Sequence, residues 1–240
     1  KAESLPQDHA SSVSWDEISA AAETTSGPGF VYTQHGVTRS LSVWDRNRQR
    51  IVVDRIATVL NEVSENFGVP TYFTSGTLLG LVRDDALIPH DDDVDSAYIS
   101  RCQDYLNWAL EWLSLSAFLN RLPKCSSKRH LPGLLHVTAE LDRNSVRFDL
   151  FSSLVEDGYV NEYPLRTDSL LVESVEPLSR RRFLDIDVPV PAVPEDLLQV
   201  NYGNGWRTPD PAFRFDWNAA GKQYASRILG MSKSLPAACW

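Results

Sequence analysis

Cysteine is scarce in this sequence. Cys102, Cys125 and Cys239 are the only three in 240 residues, and they lie far apart with no Cys-x-x-Cys pair. Neither a disulfide framework nor zinc-ligand spacing can be read from them. Long apolar runs are missing too: nothing approaches the ~18 residues that a membrane-spanning helix requires. The chain opens on Lys1 rather than Met and carries no signal-peptide-like apolar segment. The expectation is therefore a domain cut from a larger protein, and bacterial cytoplasm and a secretory-pathway lumen both fit as its compartment. Positive charge is also short, with 23 Lys and Arg against 32 Asp and Glu for a net charge of −9. That balance excludes non-specific nucleic-acid binding, which needs a basic face. It does not exclude anionic substrates, because a local arginine or a bound metal inverts the field at one site.

What the chain does have is apolar mass. Hydrophobic residues make up 42% of it and aromatics 10%, including seven tryptophans, enough for one substantial core. Residues 1–42 are polar and rich in Ser, Thr and Gly, and read as an arm with one short helix at Trp15–Ala22. Residues 43–240 read as the globular domain. Val52, Ile56, Val59, Leu60, Val63 and Phe67 fall at helical spacing, predicting an amphipathic helix over Val43–Phe67 stopped by Gly68 and Pro70. VPTYFTSG predicts a buried strand ending in a glycine turn, and Thr77–Arg83 a short helix leaving that turn. A strand over Val94–Ile99 and a helix over Gln103–Leu119 follow, then a hairpin of Leu134–Leu141 and Val146–Leu150. Arg182–Val190 reads as a further strand, Glu195–Tyr202 as a short helix, and about Gly221–Leu229 as the one regular piece of the tail. This order predicts an α+β (mixed α/β) domain, a small mixed sheet flanked by helices.

The stretch Ser75–Asp95 reads SGTLLGLVRDDALIPHDDDVD, with four carboxylates in its last five residues. Crowding like charges so closely is costly unless a cation sits among them. Asp93 and Asp95 flank Val94, and strand residues two apart share a side, with Cα atoms about 6.6 Å apart. The pair can converge on one or two divalent cations, with Val94 turned into the core. Oxygen-only ligation favours Mg²⁺ or Mn²⁺. Asp91 and Asp92 read as loop-fixing residues. A third acid is offered by RFDLF, where Asp149 stands between Phe148 and Leu150. An Asp so flanked either faces solvent or needs a partner, and the Asp93/Asp95 pair favours a ligand or general base. Ser75, Gly76 and Thr77 lie between strand and helix, where backbone N–H groups can receive phosphate oxygens. Arg83 follows, as a phosphate contact or as a surface ion pair with Asp84 or Asp85. Trp108 and Trp112 read as core. Trp206, Trp217 and Trp240 are the better candidates for sugar stacking, although core packing remains the simpler reading.

Taken together, GTLLGLVR, IPHDDDVD, RFDLF and LLQVNYGNGWRTP, in that order over roughly Val52–Pro209, resemble the LicD/fukutin family of phosphotransferases. The first block is specific, since the glycine turn, arginine, Ile-Pro and Asp run occur in order at close spacing. Tyr202, Gly203, Trp206 and Pro209 look like the family's looser closing element. The resemblance implies a nucleotidyltransferase-like fold and transfer of phosphocholine, ribitol phosphate or a sugar phosphate from a nucleotide-linked, CDP-type donor to a glycan. It implies Asp93 and Asp95 as metal ligands, Asp149 as third ligand or base, and Gly76 and Thr77 as the phosphate-side loop. His90 stands where the family carries an aromatic and reads as a substrate contact or a plain loop residue. Two rivals use the same residues: a nucleotidyltransferase moving NMP from an NTP to a small hydroxylated acceptor, and a non-catalytic metal- or glycan-binding domain.

Overall fold

Asp45 begins the long helix: its side chain accepts the Arg48 N–H at 2.8 Å. Gly68, left-handed at φ 65°, ends it by donating its N–H to the Ser64 carbonyl. The structure is a computed structural model describing residues 15–27, 30–33, 36–41, 44–88, 91–102, 104–131, 133–141, 144–162, 169–210 and 213. Its elements are α1 (Trp15–Ser26), β1 (Phe30–Thr33), β2 (Gly36–Arg39), α2 (Arg46–Phe67), β3 (Thr71–Phe73), α3 (Ser75–Asp84), β4 (Asp95–Ser100) and α4 (Tyr105–Leu119). Then come β5 (Cys125–Leu131), β6 (Leu134–Leu141), β7 (Asn144–Glu156), β8 (Tyr159–Glu162), α5 (Val172–Val175), β9 (Ser179–Phe183), β10 (Ile186–Val190) and α6 (Pro194–Tyr202).

The main sheet runs β3-β4-β7-β6-β5, with β8 pairing the far end of β7. Only β4–β7 is parallel; β3–β4, β7–β6, β6–β5 and β7–β8 are antiparallel. This is the expected small mixed sheet. One face carries the core. Leu135, Val137 and Ala139 of β6 and Val146, Phe148 and Leu150 of β7 are buried there with Val52, Ile56, Leu60 and Val63 of α2. Helix α4 lies beside α2, with Phe118 meeting Phe67 edge-on at 5.3 Å. Trp108 and Trp112 are buried, as their helical spacing predicts. The residues between the core positions, His136 and Thr138 of β6 and Arg147 and Asp149 of β7, stand on the opposite face.

Several expectations need correction. The predicted strand over Arg182–Val190 is a hairpin: β9 and β10 pair antiparallel around Leu184 and Asp185, both at positive φ (50° and 68°). No glycine or asparagine marks that turn, and Asp185, which tolerates the left-handed region, is its one signal. Strand β4 begins at Asp95, not Val94, leaving Asp91–Asp93 in the loop before it. The helix expected at Trp15–Ala22 runs on to Ser26, and a β1–β2 hairpin follows it in the segment read as irregular. Strands β5 and β8 are additions. Residues 42–43, at the expected arm boundary, and 221–229 lie outside the described residues.

Candidate active site

The site begins where β3 gives way to α3. Thr74 is extended, Ser75 takes a positive φ of 46°, and the helix starts. A non-glycine residue held there stores strain on the order of 1–3 kcal/mol, a feature that concentrates at functional sites. Three hydrogen bonds stitch this junction to the start of β4. Thr74 N–H donates to the Asp95 carbonyl at 3.2 Å, Gly76 N–H to Asp95 Oδ2 at 2.9 Å, and Asp95 N–H to Thr77 Oγ1 at 2.9 Å. The first N–H groups of a helix lack intrahelical acceptors, so a carboxylate there satisfies one and meets the positive end of the helix dipole. The Gly76 N–H expected to face phosphate is thus bonded to Asp95.

Gly76 is required by crowding. A Cβ built on it would lie 2.5 Å from Asp91 Oδ2 and 3.2 Å from Asp95 Oδ2. Two carboxylates therefore close on the backbone where a side chain would otherwise stand. Asp91, Asp92 and Asp93, all half-buried, have carboxylate oxygens within 4.8 Å of one another. Burial pushes the Asp91 carboxyl well up from its ordinary range, and the charges of Asp93 and Asp92 add to it. Burial likewise raises Asp95, followed by the charges of Asp93, Asp91 and Asp149. All donors here are carboxylate oxygens, a set chemically suited to a hard divalent cation. Asp91 is also tied into the fold, since its carbonyl accepts the Leu41 N–H at 3.1 Å.

Asp149 enters from β7. In the parallel β4–β7 pair it stands directly opposite Asp95. Its N–H donates to the Val94 carbonyl at 2.8 Å, and its carbonyl accepts the Ser96 hydroxyl at 2.7 Å. Its carboxylate, 7% exposed as a residue, meets His136 across the antiparallel β6–β7 pair, with Oδ1 2.6 Å from Nδ1. The His130 ring lies 4.3 Å beyond that of His136.

Of the predicted site residues, Gly76, Thr77, Asp95 and Asp149 are thus brought together by hydrogen bonds and register, and Asp93 acts on Asp95 through its charge. Ser75 supplies the strained turn. Arg83 is at the far end of α3 and grips Asp84, Nη2 to Oδ2 at 2.8 Å and Nε to the same oxygen at 2.9 Å. His90 lies outside the described residues, as do Trp217 and Trp240. Trp206 is buried, with the Arg207 guanidinium 4.2 Å over its ring.

Five side chains at or beside the site were not anticipated. Asp91 and Asp92 join the acidic cluster instead of merely fixing its loop. His136 faces Asp149. Tyr202 of α6 lies near enough for Asp95 and Asp91 to push its phenol up, after burial, while Arg83 works the other way. Glu162 of β8 is fully buried and accepts hydroxyl protons from Tyr72, from Thr74 at 2.8 Å and from Ser153 at 2.9 Å. It anchors the end of β3 from which the Ser75 turn departs. No sequence signal announces Tyr202 or Glu162 as site-side residues, although Tyr202 sits in the closing element that carries the resemblance.

The family model for the LicD/FKTN/FKRP nucleotidyltransferase domain matches residues 68–193, a segment holding every acidic residue just described. The chain belongs to this family. Among curated proteins, the mouse (Mus musculus) ribitol-5-phosphate transferase FKTN is 28% identical over 182 residues, which is 73% of this chain and 36% of that one. This LicD-family chain therefore spans about a third of that relative's length. Among solved structures, ANT(2″)-Ia in complex with adenylyl-2″-tobramycin aligns with a TM-score of 0.40 at 10% identity, covering 77% of this chain and 89% of its own. That likeness is too slight to argue from. The nucleotidyltransferase character of the domain rests on the family match.

Proposed function

We propose that this domain transfers a phosphorylated group from a nucleotide-linked donor, of the CDP type, to a glycan hydroxyl, with Mg²⁺ or Mn²⁺ as cofactor. The observation that carries the reading is the register of Asp95 and Asp149 on adjacent parallel strands, beside the Asp91–Asp93 cluster around Gly76, in a chain of the LicD family. Ribitol phosphate, named for the mouse relative, is the first group to test.

Asp93 and Asp95, with Asp91 beside them, are the residues that would hold the cation. When bound, it supplies compensation for charge on the donor's phosphates. Asp149 then serves the acceptor: it orients the attacking hydroxyl and takes its proton. The new bond joins the acceptor oxygen to the phosphorus bearing the transferred group, and the bond to the nucleoside monophosphate breaks, releasing CMP from a CDP-linked donor. Gly76 and Thr77 act by holding Asp95 in place at the mouth of α3. Arg83 is paired with Asp84 through Nε and Nη2.

A thermal-shift panel tests the reading. It compares CDP-ribitol, CDP-glycerol, CDP-choline, nucleotide sugars, CMP and the four NTPs, with Mg²⁺ or Mn²⁺ and with EDTA, on wild type and Asp93→Asn. The expected result is a metal-dependent shift with one CDP-linked compound that the variant loses. A shift confined to NTPs would replace this reading with nucleotidyl transfer. A shift with metal alone would reduce the domain to a binding module.

A further inference from the structure

Asp149 has a partner that the phosphotransfer reading does not use. We propose that His136 is a positioning residue: it holds Asp149 by Oδ1 and so confines that carboxylate to a one-oxygen role toward the acceptor hydroxyl. This rests on the phosphotransfer reading.

Register places the three groups in a row. Asp95 is opposite Asp149 on β4–β7, and Asp149 is opposite His136 on β6–β7. Partners at such positions share one face of the sheet, so the row runs carboxylate, carboxylate, imidazole across three neighbouring strands. The two carboxylates repel, so Asp149 is turned from Asp95 toward β6, and without a tether there its rotation would be whatever its surroundings allow. His136 supplies that tether on the side away from Asp95 at 2.6 Å, the length of a charge-assisted bond, and so fixes where the rotation stops. The burial of Asp149 makes the tether matter. Its flanks are the buried Phe148 and Leu150, and Val94 and Ser96 engage only its backbone groups. A carboxylate so enclosed needs a donor.

His136 is itself confined. Its side chain is 23% exposed, and the ring of His130 stands 4.3 Å away, presented by the irregularity between Arg129 and Leu131 in β5. Asp149 is not part of the Asp91–Asp93 cluster among the described residues. With Oδ1 engaged by His136, Oδ2 is the oxygen left for a hydroxyl. The tautomer this requires carries its proton on Nδ1 and gives it to the carboxylate. His136 does for Asp149 what a hydrogen-bonded partner does for a metal-ligating or catalytic side chain elsewhere: it fixes which atom faces the chemistry.

Two measurements on the whole chain test this. The first is activity, read as CMP release from CDP-ribitol in Mn²⁺, with water or an added glycan as acceptor. His136→Ala is expected to lower kcat about 10- to 100-fold with little change in donor KM. His136→Asn, whose amide N–H can take the place of Nδ1–H, is expected to recover most of that loss. An Asn variant as slow as the Ala variant, or an Ala variant as fast as wild type, overturns the proposal. The second is the long-range ¹H–¹⁵N correlation spectrum of the His136 ring in wild type. A protonated Nδ1 whose signals move in Asp149→Asn supports the tie, and an unprotonated Nδ1 overturns it. If wild type releases no CMP from any CDP-linked donor, the phosphotransfer reading fails, while the spectrum still decides whether His136 holds Asp149.

Discussion

At the scale of single residues, the site is defined by how little room it leaves. Gly76 lets the Asp91 and Asp95 carboxylates approach the helix backbone. In Gly76→Ala the three atoms nearest the new methyl all belong to the Asp91 and Asp95 side chains, so the fold should survive while the carboxylates are pushed aside. The expected outcome is a thermal midpoint within a few degrees of wild type, with the metal-dependent thermal shift lost and CMP release down at least about tenfold. Asp95→Asn separates charge from shape, because its amide oxygen can still accept the Gly76 N–H. Turnover should fall on the order of 100-fold. The metal-free protein should melt higher than wild type, since a buried like charge is gone; a lower midpoint in EDTA would show that Asp95 holds the fold together by its charge. Asp95 and Asp93 were legible in the sequence because four carboxylates crowd one short run, whereas Asp91 was read there only as a loop residue. His136 was not legible. In LLHVTAEL it occupies an ordinary outward position of an alternating strand, and nothing local says that Asp149 stands across from it.

At the scale of elements, helix α3 is wedged against its own exit. A Cβ on Gly80 would stand 2.3 Å from the Ala86 carbonyl, a backbone atom that cannot step aside. Gly80→Ala should therefore destabilise the protein by about 1–3 kcal/mol, measured by denaturant unfolding, with activity per folded molecule largely kept. Glu162 works at the other end of the same unit. Burial raises its carboxyl above the ordinary value of 4.5, although three hydroxyls donate to it. The folded state therefore holds this proton to higher pH than the unfolded chain does. The contribution of Glu162 to stability is fullest below pH 4.5 and falls as pH rises through the raised value. Relative to Glu162→Gln, wild type should lose stability as pH rises above the ordinary value of 4.5, and a difference that stays constant as pH rises from there would contradict the assignment. Helix α2 was legible from its apolar spacing and its glycine stop, whereas β5 was not. Its sequence, CSSKRHL, is polar, and among the described residues it is an edge strand paired with β6 alone. Glu162 was hidden for a related reason: its partners Tyr72 and Thr74 lie 90 and 88 residues away along the chain.

At the scale of the whole molecule, the amino-terminal segment reaches the site. Leu41 is buried in the main core, and its N–H donates to the Asp91 carbonyl. Removing residues 1–42 should thus loosen the acidic loop as well as cost stability. Amide exchange over Asp91–Asp95 is expected to quicken about tenfold or more in the truncated protein, with β6 and β7 protected much as before. Unchanged exchange in the loop would show that the segment is dispensable to it.

The parallel pairing of β4 with β7 also bears on when, during synthesis and folding, the protein acquires its chemistry. Ser96 and Asp149 meet across 53 residues, and Tyr72 and Glu162 across 90. Contacts of such separation must overcome loop-closure entropy before they return anything, so they form late. A nascent chain that has emerged only as far as Asp95 already carries its acidic cluster, yet it lacks the strand that sets a third carboxylate beside it. Such a chain has the charge of the finished site without its geometry, so if the proposed function holds, metal binding alone would be no sign that it has folded. Turnover of the proposed donor would belong to the completed sheet.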